Sequence, residues 1–229
     1  MHVEIWSDIA CPWCYVGKRR FEAALAAFDH RDDVRVTWRS FELDPGAPAE
    51  RPGDHTEHLA SKYGTSVAQA QAMHDRMTET AAAEGLAFRF DRVRSGNTFD
   101  AHRLTHLAAA HGLQDAMEER LMRAYLEEGQ LISDHATLRR LAGDVGLPAD
   151  EVAELLATDQ HAGAVREDEA TAHALGISAV PFFVADRAIG ASGAQPADVL
   201  LQFLHEAWER SRPAIPVVAT GEACGPDGC

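Results

Sequence analysis

Ser7-Asp8-Ile9-Ala10-Cys11-Pro12-Trp13-Cys14 is the stretch on which the reading of this chain turns. Ahead of it, His2 to Trp6 alternates polar and apolar residues, with Val3 and Ile5 on one face, as a half-buried strand does. Behind it, Val16, Phe21, Leu25 and Phe28 recur at helical spacing between Pro12 and about Asp29. The cysteine pair therefore sits where a strand gives way to a helix, with Cys11 near the N-cap and Pro12 at the first helical position, where a missing N–H does no harm. Free backbone N–H groups and the positive end of the helix dipole favour a thiolate at Cys11, the form that attacks disulfides. Cys14, one turn along, is within reach to close a small disulfide and release whatever Cys11 has captured. Cys-x-x-Cys spacing also fits half of a zinc site. Against zinc stand the absence of a second such motif and the strand-to-helix setting.

Farther out, Val34 to Phe41 alternates again, with Val34, Val36 and Trp38 on one face, and stops at the turn signal Asp44-Pro45-Gly46. From about His55 to His173 the pattern is helical, with room for five or six helices. Val67, Met73 and Met77 line one segment that ends at Gly85, and Asn97 is placed to N-cap a helix over Thr98 to His111. Leu113 to Leu126, Ser133 to Val145 and Pro148 to Leu156 follow the same grammar. The period then returns to two: Ile177, Val180, Phe182, Phe183 and Val184, a turn at Asp186-Arg187, and Ile189 predict a β-hairpin. Pro196 to Arg210 closes the pattern as an amphipathic helix with Val199, Leu200, Phe203, Leu204 and Trp208 on its apolar face. The fold class is α/β, with the order β-α-β, a helical block, then β-β-α.

The 229 residues include 21 basic and 36 acidic side chains, a net charge of −15. Such a chain has no basic field to hold phosphate backbones or anionic lipid, so neither nucleic acid nor membrane is expected as a partner. No window nears the roughly 20 consecutive apolar residues of a membrane span, and the first residues lack the layout of a signal peptide. The expected location is cytoplasmic, where thiols are kept reduced and paired cysteines point to metal, catalysis or redox sensing.

Val180-Pro181 is the second strong feature, because a proline ahead of an apolar strand cannot donate to the ladder and belongs at a bend or an edge. Taken with Ser7 to Cys14, with Asn97-Thr98-Phe99-Asp100-Ala101-His102-Arg103-Leu104 and with Gly176 to Phe183, it makes the chain resemble, over roughly residues 3 to 210, the DsbA-like thioredoxin-fold oxidoreductases. Within them it is most similar to the FrnE-like subgroup, related to 2-hydroxychromene-2-carboxylate isomerases. The resemblance implies a thioredoxin-like domain from residues 1–50 and 174–210 with a helical insertion at 51–173; beyond it, the prolines and glycines of 211–229 predict a flexible tail. It implies catalytic Cys11 and Cys14, supported by Pro12 and Trp13, and a cis Pro181 beside them, with Val180 offering its backbone to an extended peptide. A lone X–Pro bond would otherwise be expected in trans. Asn97, His102 and Arg103 match a run near the active site of related isomerases; read on their own they are a cap and a packed or ion-paired helix face. His102 and His106 lie one turn apart, yet no carboxylate pattern completes a metal site, and none is expected. Strong oxidants of this type carry histidine where Trp13 stands, so the expectation is a milder oxidant, nearer an isomerase or reductase.

The implied activity is thiol–disulfide exchange with disulfide or dithiol proteins, with no cofactor required and glutathione as a possible redox partner. Two other classes stay open: a glutathione-dependent isomerase or transferase of aromatic small molecules, and a peptide-binding chaperone with regulatory or zinc-bound cysteines. Cys224 and Cys229, in a glycine- and proline-rich tail, read either as a shuttle dithiol for Cys11 and Cys14 or as exposed thiols without a role, and a zinc site built from all four cysteines would silence exchange.

Overall fold

Strand β1 (His2–Ser7) lies inside a four-stranded sheet, with β2 (Arg35–Ser40) parallel on one side and β3 (Phe182–Ala185) antiparallel on the other; β4 (Ile189–Ser192) completes the order β2-β1-β3-β4. These positions come from a computed structural model, which describes residues 1–211. The register sets Ile5 opposite Trp38 and Phe183, so three consecutive strands present one apolar row. Helix α1 (Pro12–Ala27) connects β1 to β2, and α9 (Ala197–Ser211) follows β4.

Both helices cover the row, where Val3, Ile5, Phe21, Phe28, Phe183, Leu200, Phe203 and Leu204 form one core. The opposite face is also covered. Trp6 packs with Phe41, Ile177 and Val184, and its indole Nε1–H donates to the Asp168 carbonyl at 2.9 Å. The half-buried strand read from His2 to Trp6 is thus corrected: Val3 to Ser7 are all buried, because helices lie on both sides of a central strand. Its polar member Glu4 is buried with Arg39 and Arg187 as ion-pair partners.

The helical block contains seven helices among the described residues, not five or six: α2 (His55–Tyr63), α3 (Val67–Ala83), α4 (Phe99–Ala110), α5 (Gln114–Leu126), α6 (His135–Asp144), α7 (Ala149–Ala157) and α8 (Ala162–Ala174). All lie between β2 and β3 in the chain. Asp54 caps α2 by accepting from the Thr56 and Glu57 N–H groups, and Ser66 with Gln69 forms a capping box on α3. Helix α4 starts at Phe99, with Thr98 at the N-cap position; Asn97 sits one residue earlier, and its Oδ1 accepts from the Phe99 N–H at 2.8 Å. On α9, Val199 is exposed and does not join the apolar face.

The β3–β4 turn places Asp186 and Arg187 at φ 47° and 55°, a region that non-glycine residues rarely occupy. Tertiary bonds hold them there: Asp186 accepts from the His2 N–H at 2.7 Å, and Arg187 pairs with Glu4 across the Trp6 ring. Among the described residues no helix is long and apolar enough to cross a membrane.

Candidate active site

Pro12 opens α1 and Cys11 is its N-cap, with extended backbone (φ −88°, ψ 113°) and no side-chain cap. The first-turn N–H groups are therefore left without a capping side chain, beside the Cys11 sulfur. Asp8 shapes the approach. Its carbonyl accepts from the Cys11 N–H at 3.0 Å, and its carboxylate accepts from the Ala10 and Leu43 N–H groups at 3.2 and 2.8 Å. An Asx turn thus fixes the strand-to-helix junction and ties it to the segment after β2.

The two sulfurs have different surroundings. Cys11 is 5% exposed and lines a cavity of about 970 Å³; Cys14 is 0% exposed and packs in the helical core with Tyr15, Val16 and Leu104. Burial pushes the Cys14 thiol well above its ordinary pKa, and neighbouring Cys11 adds to the rise. Of the two sulfurs, that of Cys11 is the one beside the cavity. Trp13 stands at the mouth at 47% exposure, and with Leu43 and Tyr63 it rims the cavity with apolar surface. The rings of His55, His74 and Phe90 stack along the wall. Burial, then repulsion from His74, lowers His55 to about 4, and burial lowers His74, so both imidazoles are neutral near pH 7.

Val180-Pro181, a cis peptide, faces the dithiol: Cys11 Sγ lies 3.9 Å from the Val180 carbonyl oxygen. The Pro181 carbonyl accepts from the Gly193 N–H at 2.8 Å, and Arg20 on α1 donates to the Ala194 carbonyl at 2.7 Å, which ties this loop to the helix that carries the cysteines. Gly17 makes the approach possible. A Cβ there would stand 2.8 Å from Pro181 Cγ, inside contact distance of a rigid ring. Gly17→Ala is expected to destabilise the protein, because overpacking costs about 1–3 kcal/mol and the helix-propensity gain returns only about 1 kcal/mol. Urea unfolding checks this, and an unchanged or raised midpoint would show that the loop simply retreats.

The run Asn97, His102 and Arg103 divides. Asn97 Nδ2–H donates to the Ala47 carbonyl at 3.4 Å and lies 3.5 Å from Glu42. His102 is buried beneath the site, its Nε2 3.4 Å from Asp8 Oδ1 without hydrogen-bond geometry. Burial opposes its cation, but the carboxylates of Asp8, Glu118 and Glu42 outweigh that and raise its pKa. Arg103 sends its hydrogen bonds elsewhere, to the Leu155, Thr158 and Gln160 carbonyls at the end of α7 and to Asp100. His106 pairs with Asp168 at 3.1 Å, so His102 and His106 serve different carboxylates. Among the described residues no three His, Cys, Asp or Glu side chains are grouped as metal ligands. Cys224 and Cys229 lie outside the described residues.

The sequence reading assigned no role to Gly17, Ser7 or Glu118. Glu118 had a visible signal, since helical phase puts it among Met117, Leu121 and Met122, on a face where a carboxylate is out of place.

Residues 2–205 match the family model of the DSBA-like thioredoxin domain. The crystal structure of a probable DsbA oxidoreductase from Streptomyces coelicolor is similar at 51% identity, covering 100% of this chain and 98% of that one, with a TM-score of 0.89. The uncharacterized protein YwbO of Bacillus subtilis (strain 168) is 30% identical over 199 residues, 84% of this chain and 92% of that protein. The cytosolic disulfide reductase DsbM of Pseudomonas aeruginosa, solved with GSH, shares the fold at 18% identity and a TM-score of 0.66, covering 91% of this chain and 100% of that one.

Proposed function

The chain belongs to the DSBA-like thioredoxin domain family, and from that premise we propose that it is a cytoplasmic thiol–disulfide oxidoreductase or isomerase of the FrnE-like type, with Cys11 and Cys14 as its redox couple. The observation that carries the reading is the asymmetry of the pair: Cys11 at the floor of an open cavity beside the Val180 carbonyl, Cys14 enclosed behind it. Such an arrangement lets a disulfide partner reach one sulfur and reserves the other for intramolecular resolution. Pro12 fixes the first turn, Trp13 offers an apolar contact at the mouth, and Val180 and Pro181 supply backbone beside Cys11 against which a partner strand can lie.

The substrates we propose are disulfide or dithiol proteins, with glutathione as a redox partner, as the GSH bound by DsbM suggests for a relative of the same fold. The dithiol itself carries two electrons, so no organic cofactor is called for. The sheet at residues 1–50 and 174–210 supplies the couple, and the insertion at 51–173 supplies the far wall of the cavity. Asn97 and His102 support the site through the Ala47 segment and Asp8.

The test is a redox titration: equilibrate the full chain in graded glutathione buffers, trap with acid, tag free thiols and read each cysteine by mass spectrometry. A Cys11–Cys14 couple is expected within roughly −270 to −120 mV, toward the reducing end because Trp13 offers no cation to stabilise the thiolate. Mixed species joining Cys11 to Cys224 or Cys229 would mark the tail pair as a shuttle. Thiols that never pair, or zinc released on tagging, would sink the proposal.

A further inference from the structure

Of the six large apolar residues exposed among the described residues, Trp13, Leu43 and Tyr63 rim the cavity beside Cys11. Exposed apolar surface gathered at one opening marks a place where another chain docks. At about 970 Å³ the cavity is at the upper end of small-ligand sites, and its apolar rim extends outside it, so a peptide laid across the mouth would use both.

The charges on the same cavity run against the composition of the chain. Acidic residues outnumber basic ones by 36 to 21 in the sequence, yet the cavity is lined by Arg51, Lys62 and Arg76 against only Asp8 and Asp44. Both acids are engaged. Asp44 accepts from Arg51 at 2.8 Å, and Asp8 accepts from the Ala10 and Leu43 N–H groups and lies beside His102. Lys62, in the last turn of α2, and Arg76, on α3, make no ion pair among the described residues. Glu57, Asp75 and Glu79 belong to the same two helices, but none of them lines the cavity. The cavity wall therefore offers two uncompensated cations behind an apolar rim.

We propose that Lys62 and Arg76 choose the partner: Cys11 exchanges preferentially with a cysteine that acidic residues flank in an extended peptide segment. This preference deepens the exchange reading above and rests on it. The net charge of −15 gives the chain as a whole a field that repels an acidic segment. Two open cations supply the local attraction that such a segment needs to come alongside the sulfur, and attraction between exposed charges acts mainly on the rate of encounter. In the step itself the Cys11 thiolate attacks the peptide sulfur and the Cys11–peptide bond forms. The group previously bonded to that sulfur leaves with the electron pair as a thiolate; Cys11 is oxidised and the leaving sulfur is reduced.

Two peptides test this, alike in their apolar residues and single cysteine, one with flanking glutamates and the other with flanking lysines. Each carries its cysteine as a mixed disulfide with thiopyridine, an uncharged leaving group whose release is read by absorbance. With the reduced full chain, the glutamate peptide should react on the order of 10-fold faster at low salt. In about 1 M sodium chloride, where the Debye length is about 3 Å, the two rates should converge. Lys62→Glu combined with Arg76→Glu should invert the preference, and Lys62→Gln combined with Arg76→Gln should abolish it, each read as a ratio within one preparation. Equal rates, or a faster lysine peptide, in the unaltered chain would overturn the assignment and leave exchange standing. A preference that both variants leave unmoved would do the same. A glutathione–thiopyridine disulfide run alongside separates the sources: if the variants slow that probe alone, the cations serve a small thiol and the peptide assignment falls. Failure of the unaltered chain to release thiopyridine from any probe would overturn the exchange reading itself.

Discussion

A Cys14→Ser chain is expected to accumulate as a covalent adduct with its substrates, and a Cys11→Ser chain is expected to form none. The difference follows from enclosure. In Cys14→Ser the accessible sulfur of Cys11 still attacks, but no second thiol displaces the partner, so the mixed disulfide persists until an external thiol removes it. In Cys11→Ser the remaining thiol is sealed in the core and burial holds it protonated, so neither reach nor nucleophilicity survives. Turnover in either variant should fall on the order of 10⁴-fold, and the double variant should fare little worse, as residues that act as a unit do. Non-reducing electrophoresis and intact mass read the adduct, and dithiothreitol should dissolve it. Normal turnover by Cys11→Ser would remove the basis for the proposed activity. Turnover of an aromatic substrate by that variant with glutathione would point to an isomerase or transferase instead.

The largest effect on stability is expected from Arg103→Ala. The guanidinium is buried on α4, where it donates to the Leu155 and Thr158 carbonyls and to that of Gln160 at 2.8 Å. These carbonyls lie at and just past the end of α7, where the helix dipole is negative, and that of Leu155 also accepts from the Thr158 N–H at 3.3 Å. Its fourth bond, to Asp100 at 2.7 Å, places a carboxylate at the other end of the same group. Truncation removes the side-chain donors of the Thr158 and Gln160 carbonyls and one of two donors at Leu155, while half-buried Asp100 keeps His135 at 2.8 Å; the expected loss is about 2–4 kcal/mol. Arg103→Lys, with a single ammonium in place of the fork, should recover less than half of it. Chemical denaturation monitored by circular dichroism measures both, and a loss below about 1 kcal/mol for Arg103→Ala would show that water takes over the carbonyls.

Arg103 also illustrates what the sequence could convey about this site. The motif around it was legible as a pattern, and Asp100 lies at helical i,i+3 spacing, but the three carbonyls that its side chain holds lie more than fifty residues along the chain, and no local spacing encodes them. Features with local causes read well: the strand-to-helix junction at Cys11, the helix ends at Gly85 and Gly112, the hairpin after Pro181. Helix α8 escaped separate recognition because its inward face is Val165, Asp168 and Ala172, one position of which carries a carboxylate that holds Arg39 and the Ser40 N–H. A buried polar network breaks the apolar stripe on which helical periodicity depends. Gly17 was illegible for a related reason, since its meaning is the 2.8 Å gap to a proline loop from the far end of the chain.

Strand β1 pairs on one side with β2, which follows within forty residues, and on the other with β3, which arrives only after the whole helical block. During synthesis the ribosome delivers Ser7 and the Cys11 thiol long before Phe182. At about 5–20 residues per second the interval is roughly ten seconds to half a minute. For that time the β3 side of β1 is an open edge, and Cys11 has no Val180 carbonyl beside it. The nascent chain therefore carries a bare pair of thiols next to an unpaired strand, and the step that shields the one also closes the other.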